Sequence, residues 1–291
     1  MIFLAAMLIS TAYSVINYLS AFSAYNQLYG QAKVMSVLAY QDHIRVGWAS
    51  AISVLVAILL SISAKSRKDM AVYIFIAAIQ VGFVHLLGSK TGWVVLYTMA
   101  LFGISWILLR HSKKMAAILA AVVFSLPVLA YLIFPTVRQR IAFIHHDFYY
   151  YSKDNYQPGL SDALRVYSLK AGADIIDRHP LSGVGFTMID QEMDKWYSLH
   201  TPFLPKEERF PPSSQFIEYW AAGGVFSFLL LILFLIVPFW NASLRRHFGF
   251  LAFMISSGIT FLFEVPLDAQ LSIFVYGFSL GLFYALAIKD N

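Results

Sequence analysis

The stretch VGWASAISVLVAILLSISAKSRK, residues 46–68, decides the fold class of this chain. Residues 46–64 contain no charged side chain, and Lys65, Arg67 and Lys68 follow at once. An α-helix needs about 20 mostly apolar residues to cross the hydrocarbon core of a bilayer. Basic residues in a short connector mark its cytoplasmic side. The stretch therefore predicts a transmembrane helix that ends in the cytoplasm.

The same pattern recurs along the chain. Arg110, Lys113 and Lys114 form a second basic cluster, and Arg245 and Arg246 form a third. Hydrophobic residues make up 59% of the 291 residues and charged residues only 13%, against about a quarter charged in soluble domains. We predict an all-α integral membrane protein with about eight transmembrane helices and both termini inside. The predicted spans are residues 2–22, 46–64, 71–87, 92–110, 115–135, 213–238, 248–263 and 268–287.

These spans divide the chain into three predicted regions. Residues 1–135 form a first bundle of five spans, and residues 213–291 form three C-terminal spans. Residues 136–212 form one large periplasmic loop that contains short helices, since it is far longer than an ordinary connector. The first span starts at residue 1 without the basic region and cleavage site of a signal peptide. We therefore expect it to be an internal helix of a protein truncated at its N-terminus.

Charge and residue types limit the function. The positive-inside rule explains nine of the 21 basic residues without any nucleic acid. The other twelve face outward, which predicts an anionic partner. The sequence His145-His146-Asp147 has no second group of ligands at a suitable spacing. We therefore expect no metal site and no cofactor.

The large loop contains the most specific pattern. Ser161 followed by Asp162 predicts the start of a helix that carries Arg165. Pro180 ends that helix, and Gly183-Val184-Gly185 predicts a turn.

These residues resemble the signature of the O-antigen ligase and O-antigen polymerase superfamily, an arginine-bearing helix followed by a His-Pro-Leu-x-Gly-x-Gly turn. Further motifs match in order over about residues 40–285. They are Asp42-His-Ile-Arg45 at the opening of a span, the turn Gly88-Ser-Lys-Thr-Gly92, the stretch Pro212-Ser-Ser-Gln-Phe-Ile217 followed by Gly223-Gly224, and the turn from Glu264 to Gln270.

The chain departs from the family pattern at three positions. Ser213 stands where the family has the loop histidine that is proposed to activate the acceptor, and Ser214 stands where it has asparagine. Lys90 replaces an arginine. The family also has about a dozen spans, which supports the expectation of a truncated N-terminus.

The resemblance implies a donor glycan on undecaprenyl pyrophosphate, and guanidinium groups bind phosphate oxygens in a bidentate manner. It implies that Arg45 and Arg165 hold the pyrophosphate and that Lys90 assists them. Arg138 and Arg140 lie at a similar depth and are either phosphate contacts or flanking charges. The alternatives remain that Arg45 is an interfacial anchor and that Arg165 is a solvated charge.

Two side chains are candidates to replace the family's histidine beside Ser213. His200 is weakly preferred, because the imidazole side chain is suited to base catalysis at neutral pH. Glu218, an ionisable residue near the start of a span, is the other candidate.

The resemblance predicts a metal-independent glycosyltransferase of the bacterial inner membrane, with its active site on the periplasmic face. The expected acceptor is a hydroxyl of lipid A-core or another glycan. The alternatives are an O-antigen polymerase, a protein O-oligosaccharyltransferase, and a membrane transporter or inactive relative. A transporter is disfavoured because the charged residues gather in the outer loops rather than at mid-span.

Overall fold

A computed structural model describes residues 1–31, 34–39, 42–153, 156–157 and 159–289. Within these ranges the regular structure is entirely helical, which confirms the predicted fold class. The α-helices are α1 (Ile2–Ser20), α2 (Phe22–Tyr29), α3 (His43–Ile62), α4 (Arg67–Leu87), α5 (Lys90–Arg110), α6 (Lys113–Ile133), α7 (Pro135–Ser152), α8 (Ser161–Arg178), α9 (Ile189–His200), α10 (Gln215–Ile236), α11 (Phe248–Thr260) and α12 (Gln270–Lys289).

Seven of the described helical segments are long and apolar enough to cross a membrane. They are α1, α3, α4, α5, α6, α12 and the segment Gln215–Trp240, which contains α10. The span predicted at residues 248–263 is instead the 13-residue helix α11. At 1.5 Å per residue α11 is about 20 Å long, shorter than a hydrocarbon core of about 30 Å. Within the described residues, seven segments thus have the length and composition of a span, and α11 is a shorter apolar helix.

The described chain forms two compact units. The first contains Met1–Ile141, Asn241–Ser257 and Gln270–Asn291, and the second contains Ala142–Trp240 and Gly258–Ala269.

Helix α3 is the central element of the first unit, where it packs against α4 and α5. Every residue of α3 from Val46 to Ala57 is buried. Gly47 allows the close approach to α5, since a Cβ at this position would lie 2.6 Å from the side chain of Ser89. Gln80, in the middle of α4, exchanges side-chain hydrogen bonds of 3.1 and 3.3 Å with Thr11 of α1. A hydrogen bond between helices is a common role of a polar residue in the middle of a membrane span.

The second unit is built around α8, which packs against α9 and α10. Its core includes Leu164, Ala171 and Ile175 of α8 together with Met193 and Trp196 of α9. Positions 164, 171 and 175 recur at the spacing of one helix face, so this apolar stripe fixes the rotation of α8.

The start of α8 differs from the sequence-based expectation. Ser161 is the first helical residue, and no side-chain cap comes from the residue before it. The carboxylate of Asp147 on α7 instead accepts hydrogen bonds from the backbone N–H groups of Asp162 and Ala163, at 2.6 and 3.1 Å. The first amides of a helix lack partners within the helix, and a carboxylate there also interacts favourably with the helix dipole. The carboxylate of Asp147 therefore caps the start of α8, rather than the hydroxyl of Ser161.

Candidate active site

Arg165 is held in one orientation by the segment that follows α11. Its Nη1 donates to the carbonyl of Phe263 at 2.6 Å, and its Nη2 donates to Oε1 of Glu264 at 2.7 Å. The side chain of Glu264 is 10% exposed and that of Arg165 is 30% exposed. A guanidinium group has five N–H donors in a planar fork. The bonds to Phe263 and Glu264 use two of these five donors, and the side chain remains partly exposed.

Gln215, the first residue of α10, ties this segment to the helix. Its backbone N–H lies 3.0 Å from the carbonyl of Phe261 and 3.1 Å from that of Glu264. Its side-chain nitrogen lies 3.0 Å from Oε2 of Glu218 and 3.2 Å from Oδ1 of Asp268. Gln215 thus links the carboxylates of Glu218 and Asp268, through its side chain, to the segment that orients Arg165, through its backbone.

Ser213 lies beside the arginine helix. The hydroxyl of Ser168 donates to Oγ of Ser213 at 2.8 Å, and the backbone N–H of Ser213 lies 3.1 Å from Oγ of Ser168. Ser168 is one helical turn beyond Arg165 on α8. Ser213, which the sequence predicts to replace the family's histidine, is therefore anchored one helical turn from Arg165.

The predicted glycine turn is present, and it packs against α10 at the point where that helix is interrupted. Gly183 and Gly185 have φ values of +64° and +94°, a region that favours glycine. Helix α10 is interrupted at Gly224, where φ is +71°. The backbone N–H groups of Val184 and Gly185 donate to the carbonyls of Ala221 and Ala222, at 3.0 and 2.7 Å.

Arg45 and Lys90 begin two neighbouring helices of the first unit. The carboxylate of Asp42 accepts from both the backbone N–H and Nη1 of Arg45, at 3.2 and 3.3 Å. Lys90 is the first residue of α5, whose opening turn contacts α3 at Gly47. These contacts place Arg45 and Lys90 at the same end of the α3–α5 pair.

Arg140 is a buried neighbour of the Lys90 turn. It is 4% exposed, and its Nε donates to the carbonyl of Gly88 at 3.0 Å. Tyr29 donates to the carbonyl of Leu87 at 2.9 Å, and burial raises the pKa of its hydroxyl. Thr136 donates to the carbonyl of Leu86 at 2.8 Å. These three side chains satisfy the last carbonyls of α4, which favours a role for Arg140 in holding the turn.

Two further predicted residues lie on the surfaces of their helices. Arg138 is exposed on α7 in the first unit. His200 is exposed at the last turn of α9 in the second unit. Its ring stacks on that of Trp196, with 4.6 Å between the centroids, and its Nδ1 lies 3.0 Å from the Trp196 carbonyl.

The central part of the chain matches a known protein family. A family model described as O-antigen ligase matches residues 74–232, which is more than half of the chain. The chain belongs to the O-antigen ligase family. The matched region contains Lys90, Arg165, Ser213 and the glycine turn. No curated protein matches the chain significantly.

In this O-antigen ligase family member, three residues that were not predicted as site residues make hydrogen bonds at the candidate site. Glu264 orients Arg165, while Gln215 and Asp268 form a hydrogen-bonded group with Glu218. The sequence offered one signal for two of them, because Glu264 and Asp268 both lie in the acidic turn before the last span. Gln215 had no signal beyond its place next to Ser213 and Ser214.

Proposed function

We propose that this membrane protein transfers a glycan from undecaprenyl pyrophosphate to a hydroxyl of lipid A-core or a similar acceptor, on the periplasmic face of the bacterial inner membrane. The observation that carries the proposal is the fixed guanidinium of Arg165, oriented by Phe263 and Glu264 in the segment that follows α11. Family membership supports a glycosyltransferase of the O-antigen ligase or polymerase type.

The chemistry of this transfer suits an oriented arginine. The acceptor oxygen forms a bond to the anomeric carbon as the bond from that carbon to the pyrophosphate oxygen breaks. The electron pair of the broken bond leaves on the pyrophosphate, and the proton of the acceptor hydroxyl passes to a base. Negative charge on the leaving group grows in the transition state, where a preorganised cation stabilises it most. Arg165 is proposed to bind that group through the edge that faces away from Glu264.

Arg45 and Lys90, both in the first unit, are also proposed to bind phosphate. Arg45 and Lys90 occupy the opening turns of α3 and α5, and helix N-termini favour anions. Arg140 is proposed to act on Lys90 by holding the 88–89 turn, since it is buried against Gly88. Arg138 is exposed on α7 and remains a proposed phosphate contact.

Glu218 is the proposed base for the acceptor hydroxyl. It is buried and belongs to the hydrogen-bonded group that reaches Arg165 through Gln215 and Glu264. His200 was preferred from the sequence, but its described contacts are with Trp196 of its own helix. We therefore expect Glu218→Gln to lower the transfer rate by about 100-fold or more, the size of a typical base contribution.

The matched variant for Glu218→Gln is His200→Ala, and we expect it to keep the wild-type rate. Both are assayed with the same lipid-linked donor across a range of pH. Loss of transfer in His200→Ala, with Glu218→Gln unaffected, would return the role of base to His200.

The test of the proposed function uses the protein in liposomes with an undecaprenyl-pyrophosphate-linked glycan and lipid A-core. We expect glycosylated lipid A-core to form and undecaprenyl pyrophosphate to be released in equal amounts. Formation of longer lipid-linked glycans instead would show a polymerase, and glycosylation of an added acceptor protein would show a protein O-oligosaccharyltransferase. If no glycan is transferred to any of these acceptors, the proposal is contradicted.

Transfer is expected to be independent of divalent metal. Arginine and lysine supply the positive charge in the proposed mechanism, so excess chelator should leave the rate of the liposome assay unchanged. Loss of activity in chelator that an added divalent cation restores would show that metal takes part.

A further inference from the structure

The segment that follows α8 changes abruptly in chemistry. Asp177, Arg178 and His179 close the helix, and the eight residues from Leu181 to Met188 contain no charged side chain. Leu181 and Phe186 are 68% and 55% exposed. Large apolar side chains exposed side by side on a turn are unusual on a surface that faces water.

This turn packs against the membrane helix α10. Phe186 packs on α10, with 5.4 Å between its ring centroid and that of Tyr219. A Cβ added to Gly224 would lie 2.1 Å from the carbonyl oxygen of Leu181. The exposed face of the turn therefore continues into the exposed face of α10, where Phe226 is 69% and Leu230 is 65% exposed.

The contact lies near the edge of the hydrocarbon core. Trp240 closes the apolar segment that contains α10, and tryptophan is enriched at the membrane interface. About 20 helical residues span the core, and counting back from Trp240 by that number reaches Ala221. The carbonyls of Ala221 and Ala222 accept the hydrogen bonds from the backbone of the turn. Tyr219 and Trp220 then lie at the level of the opposite aromatic belt.

Four of the eight backbone N–H groups in residues 181–188 have backbone acceptors. Gly183 N–H lies 3.0 Å from the carbonyl of His179, and Met188 N–H lies 3.0 Å from that of Gly185. The N–H groups of Val184 and Gly185 bond carbonyls of α10, and Val225 N–H bonds the carbonyl of Pro180 at 3.0 Å. Non-helical backbone is tolerated at membrane depth only when its polar groups have protein partners. These bonds lower the cost of placing the turn at the edge of the hydrocarbon core.

We infer that the turn of residues 181–188, within the large outer loop, enters the membrane and places Leu181 and Phe186 among lipid acyl chains. The occupant of this apolar surface is the bilayer itself, because the surface is continuous with the lipid-facing side of α10. The insertion is shallow, like that of interfacial helices that reach about 5–10 Å into the acyl boundary. It anchors the end of the arginine-bearing helix α8 at the membrane surface.

The test uses single-cysteine spin labels, because the chain contains no cysteine. Leu181→Cys and Phe186→Cys are labelled in the full protein in liposomes. Leu230→Cys marks the lipid-facing side of α10. Leu199→Cys lies among the polar and charged residues of α9 and serves as the aqueous reference in the same unit. Relaxation of each label by oxygen, which partitions into lipid, is compared with relaxation by a water-soluble nickel chelate.

We expect the labels at 181 and 186 to be relaxed more by oxygen than by the nickel chelate, as at 230, while the label at 199 shows the reverse order. A label at either 181 or 186 that behaves like the one at 199 would overturn the inference. All four positions are exposed in the structure, so the substitutions leave the packed core intact. The measurement does not require glycan transfer, so it tests the inference independently of the proposed function.

Discussion

Replacing Arg165 with alanine is expected to lower the rate of glycan transfer by about 10²–10³-fold, the cost of removing one preorganised group that stabilises transition-state charge. The structure orients this guanidinium through Glu264 and the Phe263 carbonyl. Arg165→Lys should also be strongly impaired, since an ammonium is a point charge and cannot bind in the bidentate manner of a guanidinium. The measurement is the initial rate in the liposome assay, with the amount of inserted protein determined for each variant.

Arg178→Ala is the matched control for Arg165→Ala. Arg178 lies on the same helix, and its ion pair with Asp174 is at the surface. Exposed ion pairs contribute little to stability, so we expect a rate within about twofold of wild type. Equal losses in the two alanine variants would mean that α8 needs positive charge in general. A wild-type rate in Arg165→Ala would exclude the role proposed for Arg165.

The substitution Gly183→Ala is expected to detach the glycine turn from α10. An alanine there would adopt a φ of +64°, and its Cβ would lie 2.3 Å from the carbonyl oxygen of Ala222. The left-handed conformation alone costs about 1–3 kcal/mol for a residue other than glycine, and the overlap with the backbone adds to that cost. We expect the apparent melting temperature of the purified protein to fall by several degrees.

The control for Gly183→Ala is Gly258→Ala. Gly258 lies within α11, and a Cβ there would meet no atom within 4 Å. Alanine favours the helix over glycine, so this variant should be as stable as wild type or slightly more stable. If Gly183→Ala melts with the wild type, the close packing of the turn on α10 is not required for stability.

The sequence predicted the membrane helices well because their signal is local. Each long span is a continuous apolar run, and a helix is the only open structure that satisfies its own backbone in lipid. The arginine-bearing helix and the glycine turn were also local patterns, and the structure has α8 from Ser161 to Arg178 with Gly183 and Gly185 at positive φ. The prediction was weaker at 248–263, where an apolar run ends after only 13 helical residues.

The contacts that form the candidate site could not be predicted in the same way. Arg165 and Glu264 are 99 residues apart in the chain, and Gln215 and Asp268 are 53 apart. Such pairs depend on how the helices pack, and no local periodicity encodes them. The Asp147 cap of α8 is a similar case, because a tertiary carboxylate replaced the local capping residue that the sequence suggested.

The most direct measurement of the central claim is the affinity of the protein for undecaprenyl pyrophosphate, compared with that for uncharged undecaprenol. Both lipids are titrated into wild type, Arg165→Ala and Arg178→Ala in liposomes. Charge-assisted hydrogen bonds contribute about 1.5–3 kcal/mol each, so Arg165→Ala should weaken pyrophosphate binding by about tenfold or more. Undecaprenol binding should be equal in all three proteins. Pyrophosphate binding that is unchanged in Arg165→Ala would contradict the account.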